Sequence, residues 1–221
     1  MLTPPYGTIV KGYLKGKYIM KLNAIALAVS LAFAAGPAGA TVINFDGFKP
    51  GHGVIIIPNG YAGLNWSNFG VLNGLRYSSG HSGYKNGIVS RNNVALNRFG
   101  TPASFSSGSA FTLNSAYFTG AWNDGLQITA TGFLGATQVD LTSFTVNTSG
   151  PTLETFNWTN VDSIRFSSSG GTHHRGFRGH GTQLAMDNLT INADTVPEPA
   201  SLALMGLGLV GLAYSRRRKS A

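Results

Sequence analysis

Phe111-Thr112-Leu113-Asn114-Ser115-Ala116-Tyr117-Phe118 and Leu126-Gln127-Ile128-Thr129-Ala130-Thr131-Gly132-Phe133 decide the fold. In both, apolar and small polar residues alternate, which sends one set to each face of a strand. The first is rich in aromatic residues, a type that packs well on a pleated surface. Residues 161–167 and 184–191 carry the same alternation. Between the first two stretches stands Trp122-Asn123-Asp124-Gly125, whose Asp-Gly pair predicts the tip of a hairpin. Further turn dipeptides stand at Asp46-Gly47, Asn59-Gly60, Asn73-Gly74 and Asn86-Gly87. No strand–helix alternation intervenes. The middle of the chain therefore reads as mainly β, a single antiparallel β-sandwich over residues 41–193.

Charge assigns the rest of the chain to other tasks. The 221 residues carry 16 Lys and Arg against 8 Asp and Glu. Four of the cations lie in residues 1–40 and four in 216–219, so residues 41–199 hold eight of each sign and sum to zero. The basic excess belongs to the ends, which removes the electrostatic footprint that nucleic-acid binding requires. With no cysteine, there is neither a disulfide framework nor thiol chemistry, and stability must come from a core.

Both ends read as addresses. Met20-Lys21 opens an apolar stretch over residues 22–35, and Ala38-Gly39-Ala40 closes it. A positive start, a short apolar run and a small-residue exit make a Sec-type signal peptide over 20–40, cut after Ala40 to leave Thr41. The expected partners are the Sec translocon and signal peptidase. Residues 1–19, with Pro4 and Pro5, fit this scheme poorly. They read as an upstream start artefact, or as a long n-region carrying Lys11, Lys15 and Lys17.

Residues 194–221 make the second address. Pro197-Glu198-Pro199 is followed by an apolar run over 200–215 and by Arg216-Arg217-Arg218-Lys219. The apolar run can enter a bilayer, and the basic cluster holds its end on the cytoplasmic side as a stop-transfer signal. Its 16 residues fall short of the roughly 20 of a comfortable span. Gly206, Gly208 and Gly211 weaken the helix further, at about 1 kcal/mol each. Such a span suits a transient inner-membrane intermediate better than a permanent anchor. The tail resembles the PEP-CTERM sorting signal of Gram-negative bacteria. That resemblance implies recognition of Pro197, Glu198 and Pro199 by exosortase, then delivery to the cell surface or the extracellular exopolysaccharide of a biofilm matrix.

The middle carries a resemblance of its own. Ile43-Asn44-Phe45-Asp46-Gly47 opens it, Phe118-Thr119-Gly120-Ala121-Trp122-Asn123-Asp124-Gly125-Leu126 lies at its centre, and Met186-Asp187-Asn188-Leu189 closes it. The order resembles the single-domain core of PEP-CTERM proteins, which is similar to jelly-roll carbohydrate-binding modules. The resemblance implies a structural calcium held by Asp46 and Asp187. Calcium needs six to eight oxygen ligands. The residues alone equally allow a turn role for Asp46 and a strand-edge role for Asp187.

Trp122, Asn123 and Asp124 form the candidate ligand-binding set, with Trp122 expected to be partly exposed beside the turn. Trp66, Trp158, Tyr61, Tyr77, Tyr84 and Tyr117 are further flat side chains suited to sugar faces, or to the core. Thr172-His173-His174-Arg175-Gly176-Phe177-Arg178-Gly179-His180-Gly181 gathers three of the five histidines without a neighbouring acid or cysteine. It reads as a solvated basic loop between two strands, with contact to anionic polysaccharide as its functional option. No catalytic residue is assigned. Glycoside hydrolysis needs two facing carboxyls, yet Glu154 is the one glutamate outside the sorting motif. No G-x-S-x-G elbow marks a serine nucleophile. The chain reads as an exported, non-enzymatic carbohydrate-binding or matrix module. A secreted polysaccharide hydrolase and a permanently anchored adhesive protein are the alternatives.

Overall fold

The computed structural model describes residues 40–192. Residues 1–39 of the expected signal peptide and its upstream segment, with Ala38, and the sorting tail with the Pro197–Pro199 motif and the Arg216–Lys219 cluster lie outside the described residues. Among the described residues no helix is long and apolar enough to cross a membrane.

Two strands of unusual length organise the domain. β6 (Ala103–Gly120) and β10 (Thr152–Ser169) pair antiparallel along most of their 18 residues, and three register shifts interrupt the pairing between Thr155 and Ser163. Each shift adds local twist and bend, which lets one strand pair serve two layers. The first layer stacks β2 (Val54–Ile56), β4 (Phe69–Asn73), β5 (Asn93–Asn97) and β12 (Leu184–Ile191) onto the C-terminal half of β6. β1 (Thr41–Ile43) pairs along β12. The second layer joins β3 (Asn65–Ser67) to Ser104–Ser106 of β6, and β8 (Leu126–Leu134) with β9 (Thr137–Val146) to the end of β10.

The two layers close on one core. Phe69, Val71, Ala95, Phe118, Leu184 and Met186 come from the first, and Phe105, Leu126, Ile128, Ile164 and Phe166 from the second. Phe166 sits 5.3 Å from Phe118 and 6.4 Å from Phe69, ring to ring, joining the layers. Trp66 is buried here, its Nε1 donating to Tyr61 O at 2.9 Å, while Trp158 packs half-buried against Phe156. The antiparallel sandwich expected from the alternating runs is the observed architecture, and the last of those runs is β12 itself.

The predicted hairpin at Asp124-Gly125 does not form. Gly125 does turn, with φ of 67°, but β6 and β8 are not neighbours, because β10 lies between them. The chain crosses over at 121–125, and the hairpin partner of β8 is β9, reached through Gly135 at φ 60°. A turn dipeptide fixes a reversal of direction. Which strand follows is decided by where the apolar face of β8 is buried.

Candidate functional site

The sheet of β4, β5 and β12 is buried on both faces. Along it, Phe69, Val71, Ala95, Leu184 and Met186 face the main core, while the intervening Leu72, Val94, Leu96 and Ala185 face a second, smaller cluster. That is why β4 and β5 carry short continuous apolar runs, Val71-Leu72 and Val94-Ala95-Leu96. The second cluster is completed by Tyr84, Ala121 and Trp122, with Tyr77, Ile88 and Phe177 against them. Tyr84 stands on α1 (Gly83–Asn86), a single helical turn docked by Gly83 N donating to Ala121 O at 2.8 Å. Tyr77 stands on a 3-10 turn over Tyr77–Gly80.

Trp122 is therefore a core residue, 4% exposed, against the expectation of partial exposure. Tyr84 meets it edge-to-face at 5.4 Å and Phe177 at 6.4 Å. Gly179 lies flat on its ring: a Cβ there would come within 2.3 Å of the indole. Asn123 and Asp124 also serve the fold. They form the two-residue strand β7 (Asn123–Asp124), which pairs with β11 (Thr172–His173). Asn123 Nδ2 donates to Gly170 O at 2.9 Å.

Asp124 ties three segments together. Its Oδ1 accepts from Thr148 N and Oγ1 at 2.8 and 2.7 Å, and its Oδ2 lies 2.7 Å from His174 Nδ1. Desolvation alone would raise its pKa, but the Thr148 and His174 bonds outweigh it and hold the carboxyl down at about 2. The histidine loop is thus structured rather than merely solvated. His174 N donates to Trp122 O at 2.8 Å, Phe177 N donates to His174 O, and the His173 and His180 rings lie 4.3 Å apart, tilted by 32°. Sequence reading found no acid beside these histidines. The fold supplies one from 50 positions away.

Beside this cluster, on the outer face of the first layer, opens a cleft of about 430 Å³. Val54, Ile56 and Leu96 line it from the sheet, Tyr77, Tyr84 and Trp122 from one wall, and Gly179, His180 and Gln183 from the loop. Arg98 and Phe99 complete it from a 3-10 turn over Arg98–Gly100. Phe99 is 76% exposed and holds a left-handed φ of 60°, while Arg98 Cζ sits 4.9 Å over its ring. A bulky residue with positive φ is an outlier that its surroundings must hold in place. Here Arg98 N donates to Asn68 O, Asn68 Nδ2 donates to Arg98 O, and Thr182 Oγ1 donates to Gly100 O. Gln183 Oε1 is buried with no donor. Tyr77 was visible in the sequence as a flat side chain. Phe99 was not, because nothing in Asn97-Arg98-Phe99-Gly100 announces a displayed ring.

Asp187 is fully buried at the centre of β12. Its Oδ2 accepts from Val89 N and Ser90 N at 2.8 Å, and its Oδ1 from Asn188 N at 2.8 Å and Ser90 Oγ at 3.1 Å. Burial pushes its pKa up against these bonds. A calcium ion at this carboxylate would have to displace donors that already complete it. Asp46 sits in the turn after β1 and keeps Oδ2 buried without a partner. Among the described residues no group of three or more His, Asp or Glu gathers at metal-ligand spacing. Glu154 stands on β10 opposite Ala116, with its pKa raised by desolvation, and does not line the cleft.

Comparison with known proteins bears on the tail and the fold separately. Residues 195–219 match the PEP-CTERM protein-sorting motif. The chain carries a PEP-CTERM sorting signal. The signal implies processing by exosortase, with export and sorting to the surface. No curated protein matches the sequence. Among solved structures, this chain is similar to a DUF4465 family protein from Bacteroides caccae at a TM-score of 0.52 and 10% identity, covering 69% of this chain and 98% of that one. A second DUF4465 family protein, from Bacteroides ovatus, scores 0.38 at 9% identity, over 72% of this chain and 90% of that one. The carbohydrate-binding module TmCBM61, in complex with β-1,4-galactotriose, scores 0.33 at 9% identity, over 61% of this chain and 93% of that one. At these identities the first of the three speaks for a shared fold and for nothing finer.

Proposed function

We propose that this PEP-CTERM protein is a non-enzymatic module that reaches the cell surface or extracellular matrix and binds carbohydrate in the cleft beside Phe99. The observation that carries the reading is the make-up of that cleft. A displayed aromatic ring, an apolar floor and a few convergent polar groups are what a sugar needs, one face for its C–H groups and partners for its hydroxyls. Phe99, Val54 and Ile56 offer the apolar surface, and Arg98, His180 and Gln183 the polar groups. Gln183 Oε1 is an acceptor taken from water without a donor, a loss that a sugar hydroxyl would make good.

The test is retention on neutral polysaccharide gels, comparing the full chain with Phe99→Ala and Gln183→Leu. Stacking on one ring contributes about 0.5–1.5 kcal/mol, so Phe99→Ala should weaken retention by a few-fold up to about tenfold. Both variants retained like the wild type, or a wild type retained by none of the gels, would remove the proposal.

A further inference from the structure

A second concavity, sharing no lining residue with the Phe99 cleft, lies where three turns meet. It measures about 350 Å³ and is lined by Asp46, Phe48, Lys49, Arg76, Arg91 and the Asn73, Asn92 and Asn93 amides, among others. Its walls are tied together. Asn93 Nδ2 donates to Phe45 O and Phe48 O, each at 3.0 Å, holding the turn after β1 against β5. Gly74 N donates to Asn92 O at 2.8 Å, joining the turn after β4 to the one before β5. Asn73 Oδ1 accepts from Leu75 N and Arg76 N, both at 3.1 Å, and fixes the backbone from which Arg76 projects. Arg91 holds a left-handed φ of 41°.

The charges in this pocket are unmatched. Lys49, Arg76 and Arg91 are three of the eight cations of residues 41–199, and all three are exposed. Among the described residues, the one ion pair is His174 with Asp124, so none of the three has a carboxylate partner. Asp46 is the acid of the pocket, and its Oδ2 is buried with no hydrogen-bond donor. Three cations beside one carboxylate leave a positive field that draws an anion. The planar guanidinium of arginine also matches a carboxylate geometrically, and lysine adds a point charge. A simple anion would leave Asp46 Oδ2 as it is, or worsen its position. A ligand that satisfies both features carries a negative charge and, a few ångströms away, a hydroxyl that can donate.

We propose that this pocket binds an anionic sugar residue of the uronic acid type, its carboxylate on Arg76, Arg91 and Lys49 and a ring hydroxyl donating to Asp46 Oδ2. The site is independent of the Phe99 cleft, and each stands or falls alone.

Calorimetric titration of the full chain with an oligogalacturonate tests it, with the methyl-esterified oligomer and inorganic polyphosphate as controls. The oligogalacturonate should bind, more weakly as NaCl is raised, and the esterified form should bind at least about tenfold more weakly. The double variant Arg76→Gln, Arg91→Gln should lose about tenfold or more in affinity for the acid oligomer. Both positions are exposed, and an unchanged melting temperature would exclude misfolding as the cause. Asp46→Ala should weaken the sugar acid and leave polyphosphate unchanged or tighter. Several outcomes overturn the proposal: no binding of the acid oligomer, equal binding of the esterified one, or full affinity in the arginine variant. Binding abolished by EDTA in the wild type would also sink it, since the charge would then be read by a metal ion at Asp46. Because these probes do not rely on Phe99, failure here leaves the neutral-gel result untouched, and the reverse holds too.

Discussion

Replacing Trp122 by alanine separates a structural role from a ligand-stacking one. The indole is 4% exposed and sits among Leu72, Tyr84, Val94, Leu96 and Ala185, with Phe177 edge-on at 6.4 Å and Gly179 flat against it. Gly179 can approach this closely only because it lacks a Cβ, so position 179 has no side chain with which to refill the space. Buried Trp→Ala changes cost about 3–5 kcal/mol where the site cannot collapse. That multiplies the unfolded fraction by roughly 10² to 10⁴. For a domain of this size it lowers the melting temperature by about 6–20 °C. Urea unfolding of the full chain, followed by far-ultraviolet circular dichroism, reads the change as a shifted midpoint at constant slope. Phe99→Ala serves as the contrast: at 76% exposure it should move stability by no more than about 0.5 kcal/mol. The reasoning fails if Trp122→Ala costs less than about 1 kcal/mol, or if the two variants destabilise alike.

Two further outcomes follow from the same contacts and from the tail. Asp124 is held at about 2, below its ordinary 3.8, so its bonds to Thr148 and His174 stabilise the fold fully above the ordinary value and are lost as pH falls through about 2. The stability gap between wild type and Asp124→Asn should therefore be present at about pH 5 and shrink toward pH 2 in acid titration; a gap that persists unchanged at pH 2 would contradict it. Glu198→Ala should block processing at the sorting motif, so that intact mass from the native host shows the basic Arg216–Lys219 end retained. Release with normal cleavage in that variant would withdraw the role assigned to Glu198.

The strands were legible because their alternation is a local property. Leu126–Leu134 alternates apolar and polar residues along its length, and burial alternates with them, as it must in a half-buried strand. Pairing was not legible. The Asp124-Gly125 turn is real, but the placement of β10 between β6 and β8 depends on contacts with residues 152–169, which no local signal carries. The same limit applied to the site. Trp122 looked exposed because it precedes a turn, and it is buried because Tyr84 and Phe177 arrive from 38 positions before and 55 positions after it. His174 seemed to lack an acid until Asp124 was brought to it. The two concavities are assembled wholly from such distant pieces, Arg98 beside Gln183 and Lys49 beside Arg76 and Arg91. The sorting tail, by contrast, is a linear signal over residues 195–219, and it needs no fold to be seen.

Binding in the Phe99 cleft is most directly tested by nuclear magnetic resonance of the full chain, titrated with a neutral oligosaccharide taken from the gel that retains it best. Amide and side-chain shifts should concentrate at Ile56, Leu96, Phe99 and Gln183, leaving Lys49, Arg76 and Arg91 undisturbed. Shifts that avoid the first four residues, or that spread over the surface without saturating, would contradict carbohydrate binding at this face.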